Sequence, residues 1–426
     1  MGHAATSSGN GLSRILTAWL SLVLACASHS VVLAETFQWL QYGPDGLEMR
    51  LITEQPSCPV ASIDGRAVPM RVRAAAAGAF SVGVCAAVVP SDAKSVSVGD
   101  TAFKLPPTTP RRVALVGDTG CRLKSIYIQA CNDPAQWPFA QVAATIAAQD
   151  PDLIVHVGDY HYRETECPAL FSGCAGSPFG DTWEVWRADF FTPAAPLLAK
   201  APWVFVRGNH EECARAGRGW SRMLEPMPFD SEAGCNGPSA AFAVPFPNLT
   251  LAVLDVATAT EPKVARGEIS HFRAQYATLG KLTAGPVWLL QHRPIWSAGG
   301  TIAGFPLGDN KTLAAAANGL IPPNVELMIS GHHHIFQVLQ YAQDLPVQIV
   351  AGHGGDYLNT GTSTNPAGWV INGMTVKAGL HKVGKFGFAM LESQGGGEWR
   401  LTNYDQAGVV EQHCMIKSRQ IACAEK

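Results

Sequence analysis

Seven short and mostly apolar runs follow one another after Arg112, and they restrict the fold more than any other feature of the sequence. They are Val113–Val116, Leu153–Val157, Trp203–Val206, Leu249–Leu254, Val287–Leu290, Val325–Ile329 and Val347–Val350. Strands that are apolar on both faces are typical of sheets packed between other layers. Helices are predicted between the runs, at Ala135–Gln149, Trp183–Ala199 and Ser270–Leu279. The sequence therefore predicts an α/β fold over residues 112–426, a layered α/β/β/α sandwich or a close variant.

The residues before Arg112 have a different composition. Residues 35–105 are rich in Val, Ala and Ser and carry turn signals at Gly43–Gly46 and Asp64–Gly65, which predicts a small all-β sandwich of short strands. Residues 106–111 contain three prolines, which favour an extended polyproline geometry, so we expect a linker there. A length of 426 residues also favours more than one structural unit.

The N-terminus carries the longest apolar stretch of the chain. Ile15–Ala27 follows Arg14 and is short for a transmembrane helix, so residues 1–34 are predicted to be a signal peptide cleaved after Ala34. Cys26 weakly resembles a lipoprotein acylation site, but simple export is favoured. The sequence predicts a periplasmic or secreted protein with no membrane span once it is mature.

The cysteines indicate the same oxidising compartment. Ten of the eleven cysteines lie outside the predicted signal peptide. They form five couples that are close in sequence: Cys58/Cys85, Cys121/Cys131, Cys167/Cys174, Cys213/Cys235 and Cys414/Cys423. Five disulfides are the natural interpretation. Pairing within the couples is the simplest connectivity, although the sequence alone leaves other pairings open.

Charge excludes two classes of partner as the main target. The formal net charge is −3, only 15% of the residues are charged, and the charges form no block of one sign. A nucleic-acid track or a membrane-surface patch would need such a block. Whatever the substrate is, the charge that binds it must be concentrated locally. The sequence leaves the oligomeric state open.

Polar clusters follow five of the seven apolar runs. The clusters are Gly117–Gly120, Gly158–Tyr162, Gly208–Glu211, Gln291–His292 and Gly331–His334. One such cluster alone is commonly a turn or a helix cap. In layered α/β folds, however, sites form where the carboxyl ends of strands meet, and glycines there allow the backbone to approach a ligand closely. Five clusters of carboxylate, amide and imidazole side chains therefore predict one shared site.

Together these clusters resemble the five-motif signature of purple acid phosphatases, within the calcineurin-like metallophosphoesterase superfamily. The resemblance extends from Gly117 to His334, about half of the chain. Most of the wider superfamily begins with Asp-x-His, whereas position 120 is glycine here. Tyr162 stands three residues after Asp159, where the purple subgroup places its tyrosine.

The resemblance implies seven protein ligands for two metal ions. Metal one would be bound by Asp118, Asp159, Tyr162 and His334, and metal two by Asp159, Asn209, His292 and His332. A phenolate suits Fe(3+), while imidazole and amide donors suit a divalent partner such as Fe, Zn or Mn. The alternative for Tyr162 is that it packs beside the site without binding a metal.

The implied function is that of an exported dinuclear phosphoesterase. Two cations about 3.5 to 4 Å apart can bind both ends of a phosphoryl displacement and generate a metal-bound hydroxide. Hydrolysis of a small phosphomonoester is the leading prediction. A phosphodiesterase on the same scaffold is the alternative, and a non-catalytic exported binding protein is a further one.

The groups that would protonate the leaving group are less clearly marked. His210 directly follows a ligand, as in the family, and Glu211 is predicted to orient it. Better-known members carry another histidine several residues after the ligand equivalent to His292, and this chain has none there. His161 and His353 are possible substitutes, and either could instead be structural. Arg293 or Arg163 could bind phosphate, or could pair with a nearby carboxylate.

Overall fold

The structure is a computed structural model that describes residues 1–2, 4–6, 36–282, 284–302, 305–306 and 309–425. Cys26 lies outside the described residues, and so does the predicted cleavage site after Ala34. Residues Glu35–Lys426 form one compact unit. None of the helices in the described part of the chain has the length and apolar character that crossing a membrane would require.

Strands dominate the secondary structure. In chain order they are β1 (Phe37–Gly43), β2 (Gly46–Thr53), β3 (Val60–Ile63), β4 (Arg66–Pro69), β5 (Arg71–Ala74), β6 (Gly83–Val89), β7 (Val96–Val98), β8 (Thr101–Ala102), β9 (Arg112–Val116), β10 (Leu123–Lys124), β11 (Tyr127–Ile128), β12 (Leu153–His156), β13 (Trp203–Phe205), β14 (Phe242–Phe246), β15 (Leu249–Val253), β16 (Val287–Leu290), β17 (Thr301–Ile302), β18 (Phe305–Pro306), β19 (Val325–Ser330), β20 (Phe336–Tyr341), β21 (Val347–Ala351), β22 (Val370–Ile371), β23 (Met374–Lys382), β24 (Gly387–Gly395), β25 (Glu398–Asp405), β26 (Val410–Lys417) and β27 (Gln420–Glu425).

The helices are few and short. They are α1 (Phe139–Ala148), α2 (Trp183–Trp186), α3 (Thr192–Leu198), α4 (Gly217–Met223), α5 (Ile269–Ala277) and α6 (Lys311–Ala317). Short 3-10 turns occupy Ser172–Cys174, Asn209–Glu211 and Thr278–Lys281, and a π-helical turn at Arg187–Phe191 joins α2 to α3. The three predicted helices correspond to α1, to the α2–α3 segment and to α5, so these predictions are confirmed.

Two large mixed sheets form the body of the molecule. The first sheet has eleven strands in the order β27-β26-β25-β24-β9-β12-β13-β1-β2-β6-β5, and the second has eight in the order β14-β15-β16-β19-β21-β20-β23-β22. All seven apolar runs are strands: three are neighbours in the first sheet and four are neighbours in the second. Within each group the strands run parallel, so their carboxyl ends reach one edge of each sheet.

The packing explains why the runs are apolar on both faces. In β9, Val113 and Leu115 belong to the core between the two sheets, whereas Ala114 and Val116 belong to the core beneath α1. On the outer face of the second sheet, Leu289 packs in a third core with residues of α5 and α6. The predicted layered α/β fold is confirmed, with a helix-bearing layer on each outer face of the paired sheets.

The strand-rich segment before residue 106 is tied into the same scaffold. Strands β1, β2, β6 and β5 extend the first sheet, because β1 pairs in parallel with β13. Strands β4, β3, β7 and β8 form a separate four-stranded sheet, and its Ala61, Ile63, Val96 and Val98 share a core with Met49 of β2. A strand-rich region therefore precedes the α/β part, as predicted; a separate domain over residues 35–105 and a linker at residues 106–111 stay predictions.

Five disulfides join the cysteines in the five sequence-local couples. Cys121–Cys131 and Cys167–Cys174 lie together with Leu123 in one small apolar cluster. This cluster pins the segments that follow β9 and β12 against each other. Those are the segments that carry the first two polar clusters.

Candidate metal centre

The five polar clusters meet at the adjoining edges of the two sheets. Asp118, Asp159 and Asn209 follow strands β9, β12 and β13 of the first sheet, and His292 and His332 follow β16 and β19 of the second. Backbone bonds fasten the two edges together. The Gly354 N–H, after β21, donates to the Gly117 carbonyl at 3.0 Å, and the His332 N–H donates to the Asp118 carboxylate at 2.9 Å.

The backbone at this edge is unusual in two respects. Asp118, Asp159 and His332 all have positive φ, at 56°, 59° and 71°, a conformation that non-glycine residues rarely adopt and that concentrates at functional sites. Gly208 lies so close to the second cluster that an added Cβ would come within 2.1 Å of the Asp159 Oδ1. The glycines of the motifs therefore serve close approach, as the sequence predicted for such positions.

Three of the four predicted ligands of metal one converge on the hydroxyl of the fourth, Tyr162. The Tyr162 Oη lies 3.0 Å from Asp118 Oδ1, 2.8 Å from Asp159 Oδ2 and 3.1 Å from His334 Nε2. All four side chains are buried. Donor atoms about 3 Å apart are what one ion with bonds of about 2.1 Å requires of adjacent ligands.

Predicted ligands of metal two lie on the other side of Asp159. His292 Nε2 is 3.1 Å from Asp159 Oδ2 and 3.1 Å from Asn209 Oδ1. The ligand atoms of Asp159, His292 and His332 lie within 4.8 Å of one another. Asp159 Oδ2 is thus the atom common to both groups, which suits a carboxylate that bridges two ions.

Backbone carbonyls fix the direction of two imidazoles. His292 donates from Nδ1 to the Val157 carbonyl at 2.7 Å, and His334 donates from Nδ1 to the Tyr357 carbonyl at 2.6 Å. Each bond leaves Nε2 facing the centre, where it can bind a cation once its proton is lost. Metal-binding histidines are commonly oriented in this way.

The electrostatics of the centre also suit bound cations. Burial and the carboxylates of Asp118 and Asp159 raise the pKa of Tyr162 well above its usual value. Burial favours the neutral imidazole of His292. The attraction of the Asp159 carboxylate for the charged imidazolium is stronger, however, and raises the pKa of His292 to about 9. Protons therefore occupy both donors while no cation is bound. The donor set, its convergence and its excess of acidic groups fit a dinuclear metal centre.

His210 lies against metal site one. Its ring centroid is 3.8 Å from that of Tyr162, and its Nε2 is 3.9 Å from Asp159 Oδ2. Its Nδ1 lies 2.7 Å from the Glu164 carboxylate, which Arg215 also binds. Arg215 Nη2 also lies 2.5 Å from Nδ1. When Nδ1–H donates to Glu164, Nε2 is the nitrogen that faces the centre.

Glu211 has a different position from the one that the sequence suggested. It is fully buried, and its carboxylate accepts four backbone N–H groups, those of Asp159, Tyr160, His161 and Gly208, at 2.9 to 3.2 Å. Burial and the Asp159 carboxylate raise the pKa of Glu211 to about 8, whereas the N–H donors favour its ionised form. Glu211 thus ties the loops after β12 and β13 together, and the carboxylate that touches the His210 ring belongs to Glu164.

His161 and His353 point to other parts of the molecule. His161 Nε2 lies 2.9 Å from the Gly180 carbonyl, and its ring lies 5.9 Å from that of Trp186. His353 Nε2 lies 2.9 Å from Asn403 Oδ1, and burial lowers its pKa to about 4. Within the described residues, no side-chain hydrogen bond joins either histidine to the seven predicted ligands.

The two arginines singled out in the sequence differ in their surroundings. Arg163 is buried in a 2.5 Å ion pair with Asp189, which also accepts the N–H groups of Cys121 and Tyr162. Arg293 lies beside a predicted ligand of metal two, with its Nη1 3.1 Å from His332 Nε2 and 2.7 Å from Glu261 Oε1. Arg163 thus supports the loop of the tyrosine, and Arg293 borders the centre itself.

Several residues at the centre carried no recognised signal in the sequence. Glu164 stands only two residues after Tyr162, and its position beside a motif is the one hint that it offers. Glu261 follows β15 without any motif, and the Arg122 guanidinium lies 4.7 Å from the centroid of the Tyr162 ring while paired with Asp356. These contacts join segments far apart in sequence, so spacing alone does not reveal them.

Comparison with known proteins agrees with this geometry. The family model of calcineurin-like phosphoesterases matches residues 111–336, more than half of the chain. No curated protein matches the chain in sequence. A purple acid phosphatase from yellow lupin (Lupinus luteus) seeds superposes with a TM-score of 0.55 at 12% identity, covering 90% of this chain and 74% of its own. The structure of PhoD superposes with a TM-score of 0.56 at 11% identity, covering 92% of this chain and 91% of PhoD. At these identities the two likenesses show the fold alone.

Proposed function

The chain belongs to the calcineurin-like phosphoesterase family, and we propose that it is an exported enzyme that hydrolyses small phosphomonoesters at a dinuclear metal centre. The observation that carries the proposal is the convergence on the Tyr162 hydroxyl, which has Asp118, Asp159 and His334 within 3.1 Å. Bound there, two cations would supply an activated water and neutralise phosphate charge.

The proposed ligands are those of the purple acid phosphatase pattern. Asp118, Asp159, Tyr162 and His334 would hold Fe(3+), because a phenolate is a hard anionic donor. Asp159, Asn209, His292 and His332 would hold a divalent ion, Fe, Zn or Mn. The position of Asp159 Oδ2 between Tyr162 and His292 supports its role as the bridge.

His210 is proposed as the residue that acts on the substrate beyond the metals. Glu164 accepts its Nδ1–H, so Nε2 is available to donate a proton to the leaving oxygen or to stabilise charge there. Burial lowers the pKa of His210 well below its usual value in the absence of bound ions and substrate. A phosphate dianion beside it would favour the protonated form that a general acid needs.

Export is proposed on the disulfides as well as on the predicted signal peptide. Five disulfides in one chain are typical of an oxidising compartment, the periplasm or the cell exterior. Alkylation of free thiols in the protein purified from its native compartment tests this. Ten blocked cysteines in the mature chain are expected, and ten reactive thiols would contradict export.

A visible absorption spectrum tests the metal assignment. Iron-loaded protein is expected to show a tyrosinate-to-iron charge-transfer band, and Tyr162→Phe should abolish the band while keeping the fold. Tyr160→Phe is the matched control, because Tyr160 is equally buried and donates to the Val206 carbonyl outside the ligand cluster. Colourless protein with one bound iron per chain would refute the purple assignment and leave the phosphoesterase one intact.

A phosphodiesterase is the second candidate. His210 is the one predicted acid that lies at the centre, and the segment after His292 brings Arg293 rather than a second histidine. Turnover of 4-nitrophenyl phosphate compared with bis(4-nitrophenyl) phosphate separates the two activities. Metal-loaded protein that hydrolyses neither ester would favour the non-catalytic binding protein.

A further inference from the structure

A charged pair, Arg293 and Glu261, borders His332, a predicted ligand of metal two. Arg293 Nη1 lies 2.7 Å from Glu261 Oε1 and 3.1 Å from His332 Nε2, and Glu261 Oε1 itself lies 2.5 Å from that nitrogen. The Arg293 side chain is 11% exposed and that of Glu261 18%. The pair is therefore at the rim of the centre, partly open to solvent, and not buried beneath it.

Hydrogen bonds to neighbouring residues orient Arg293 and its partner Glu261. Arg293 Nε donates to the Ala257 carbonyl at 2.9 Å, and Glu261 Oε2 accepts the side-chain amide of Asn310 at 3.2 Å. These bonds fix one edge of the guanidinium and leave further N–H groups for a ligand. A guanidinium has a planar fork of donors that matches phosphate oxygens.

Bound metal would change the balance of charge at this rim. To hold a metal ion at Nε2, His332 would give up its hydrogen bond to Glu261, and Arg293 Nη1 lies 3.1 Å from the same nitrogen. Two positive groups would then share the single carboxylate of Glu261. Such a rim attracts an anion that carries more than one negative charge.

We propose that Arg293 binds a non-bridging oxygen of the substrate phosphate and favours monoesters over diesters, with Glu261 as the residue that positions it. This inference rests on the proposed phosphoesterase function. A phosphomonoester dianion offers three terminal oxygens and two charges, whereas a diester offers two such oxygens and one charge. A fixed cation outside the two metals therefore contributes more to binding the monoester.

Two readouts on metal-loaded protein test the proposal. Arg293→Ala is expected to weaken the binding of inorganic phosphate, measured by calorimetry, by about 10- to 100-fold, the range for a lost charge-assisted hydrogen bond. The kcat/KM for 4-nitrophenyl phosphate should fall by a similar factor, and that for bis(4-nitrophenyl) phosphate by less than about threefold. Arg293→Lys, which restores a cation without the fork, should recover part of the phosphate affinity.

A second variant, Glu261→Gln, should change the affinity for inorganic phosphate in the opposite direction. Glu261→Gln keeps an oxygen for the Arg293 N–H but removes the competing charge, so inorganic phosphate should bind several-fold more tightly. The matched control is Arg419→Ala, whose side chain is 13% exposed, binds the Val325 carbonyl and pairs with Asp344 at the opposite end of β19. It should leave both readouts unchanged.

The outcomes separate this inference from the proposed function. Wild-type protein that hydrolyses neither ester would refute the function, and calorimetry with phosphate would still test Arg293. Wild-type turnover combined with an Arg293→Ala variant that keeps its two metals and its phosphate affinity would overturn the inference alone. Equal losses on both esters would overturn the selectivity.

Discussion

Replacing Glu211 with glutamine changes one atom of a fully buried carboxylate and tests whether that residue is a structural clamp. One oxygen accepts the N–H groups of Tyr160 and His161, and the other accepts those of Asp159 and Gly208. An amide NH2 in place of either oxygen faces two N–H donors and leaves both unpaired. At about 1–3 kcal/mol for each unsatisfied buried donor, the variant should lose about 2–6 kcal/mol of unfolding free energy.

Urea unfolding of the metal-loaded protein measures this loss directly. The midpoint should fall with little change in the slope, and the exposed Glu184→Gln should stay within about 0.5 kcal/mol of wild type. The loss should be smaller in metal-free protein below pH 8, because burial and the Asp159 carboxylate raise the pKa of Glu211 to about 8 and the native residue is then itself protonated. Wild-type stability combined with a large fall in kcat would refute the clamp and favour a catalytic role.

Three further predictions concern the same centre. Glu164→Gln removes the charge that holds the His210 ring, so kcat should fall about 10- to 100-fold while both metals, counted by elemental analysis, are retained. Metal loading at pH 7 should release about two protons, from His292 and Tyr162, because the pKa of each is raised. Metal affinity should therefore rise with pH, and less steeply above about pH 9, where His292 has lost its proton and Tyr162 has not. Calorimetry in buffers of different ionisation enthalpy measures this, and a pH-independent affinity would contradict it. Gly208→Ala places a methyl group 2.1 Å from the carboxylate of Asp159, the proposed bridging ligand. The variant should therefore bind less than one metal ion per folded chain. Full metal occupancy would show that the loop after β13 can move aside.

The strands of the α/β part could be predicted because each has its own local signal. A run such as Val287–Leu290 is apolar at every position, and it became a strand with the same bounds because the two faces contact different cores. The union of the N-terminal strands with the first sheet could not be predicted in this way. It depends on β1 pairing with β13, a contact between residues more than 150 positions apart that periodicity does not encode.

At the candidate metal centre, too, some residues could be predicted from the sequence and others could not. The seven predicted ligands stand in short motifs after strands, so the parallel order of the strands brings the ligands of each sheet to one edge of that sheet. The residues that hold them were missed or misassigned because their partners come from other loops. Glu164 contacts His210, and Glu261 contacts His332 across 71 positions of chain. Glu211 lies beside His210 in sequence, yet its carboxylate binds backbone N–H groups instead.

The dependence of turnover on metal equivalents tests the dinuclear phosphoesterase most directly. Metal-free protein is titrated with iron and a divalent ion while hydrolysis of 4-nitrophenyl phosphate is followed. Because Asp159 lies between both predicted ligand groups, activity should be absent without metal and should reach its plateau at two ions per chain. Full activity in the metal-free protein, or a plateau at one ion per chain, would contradict the account.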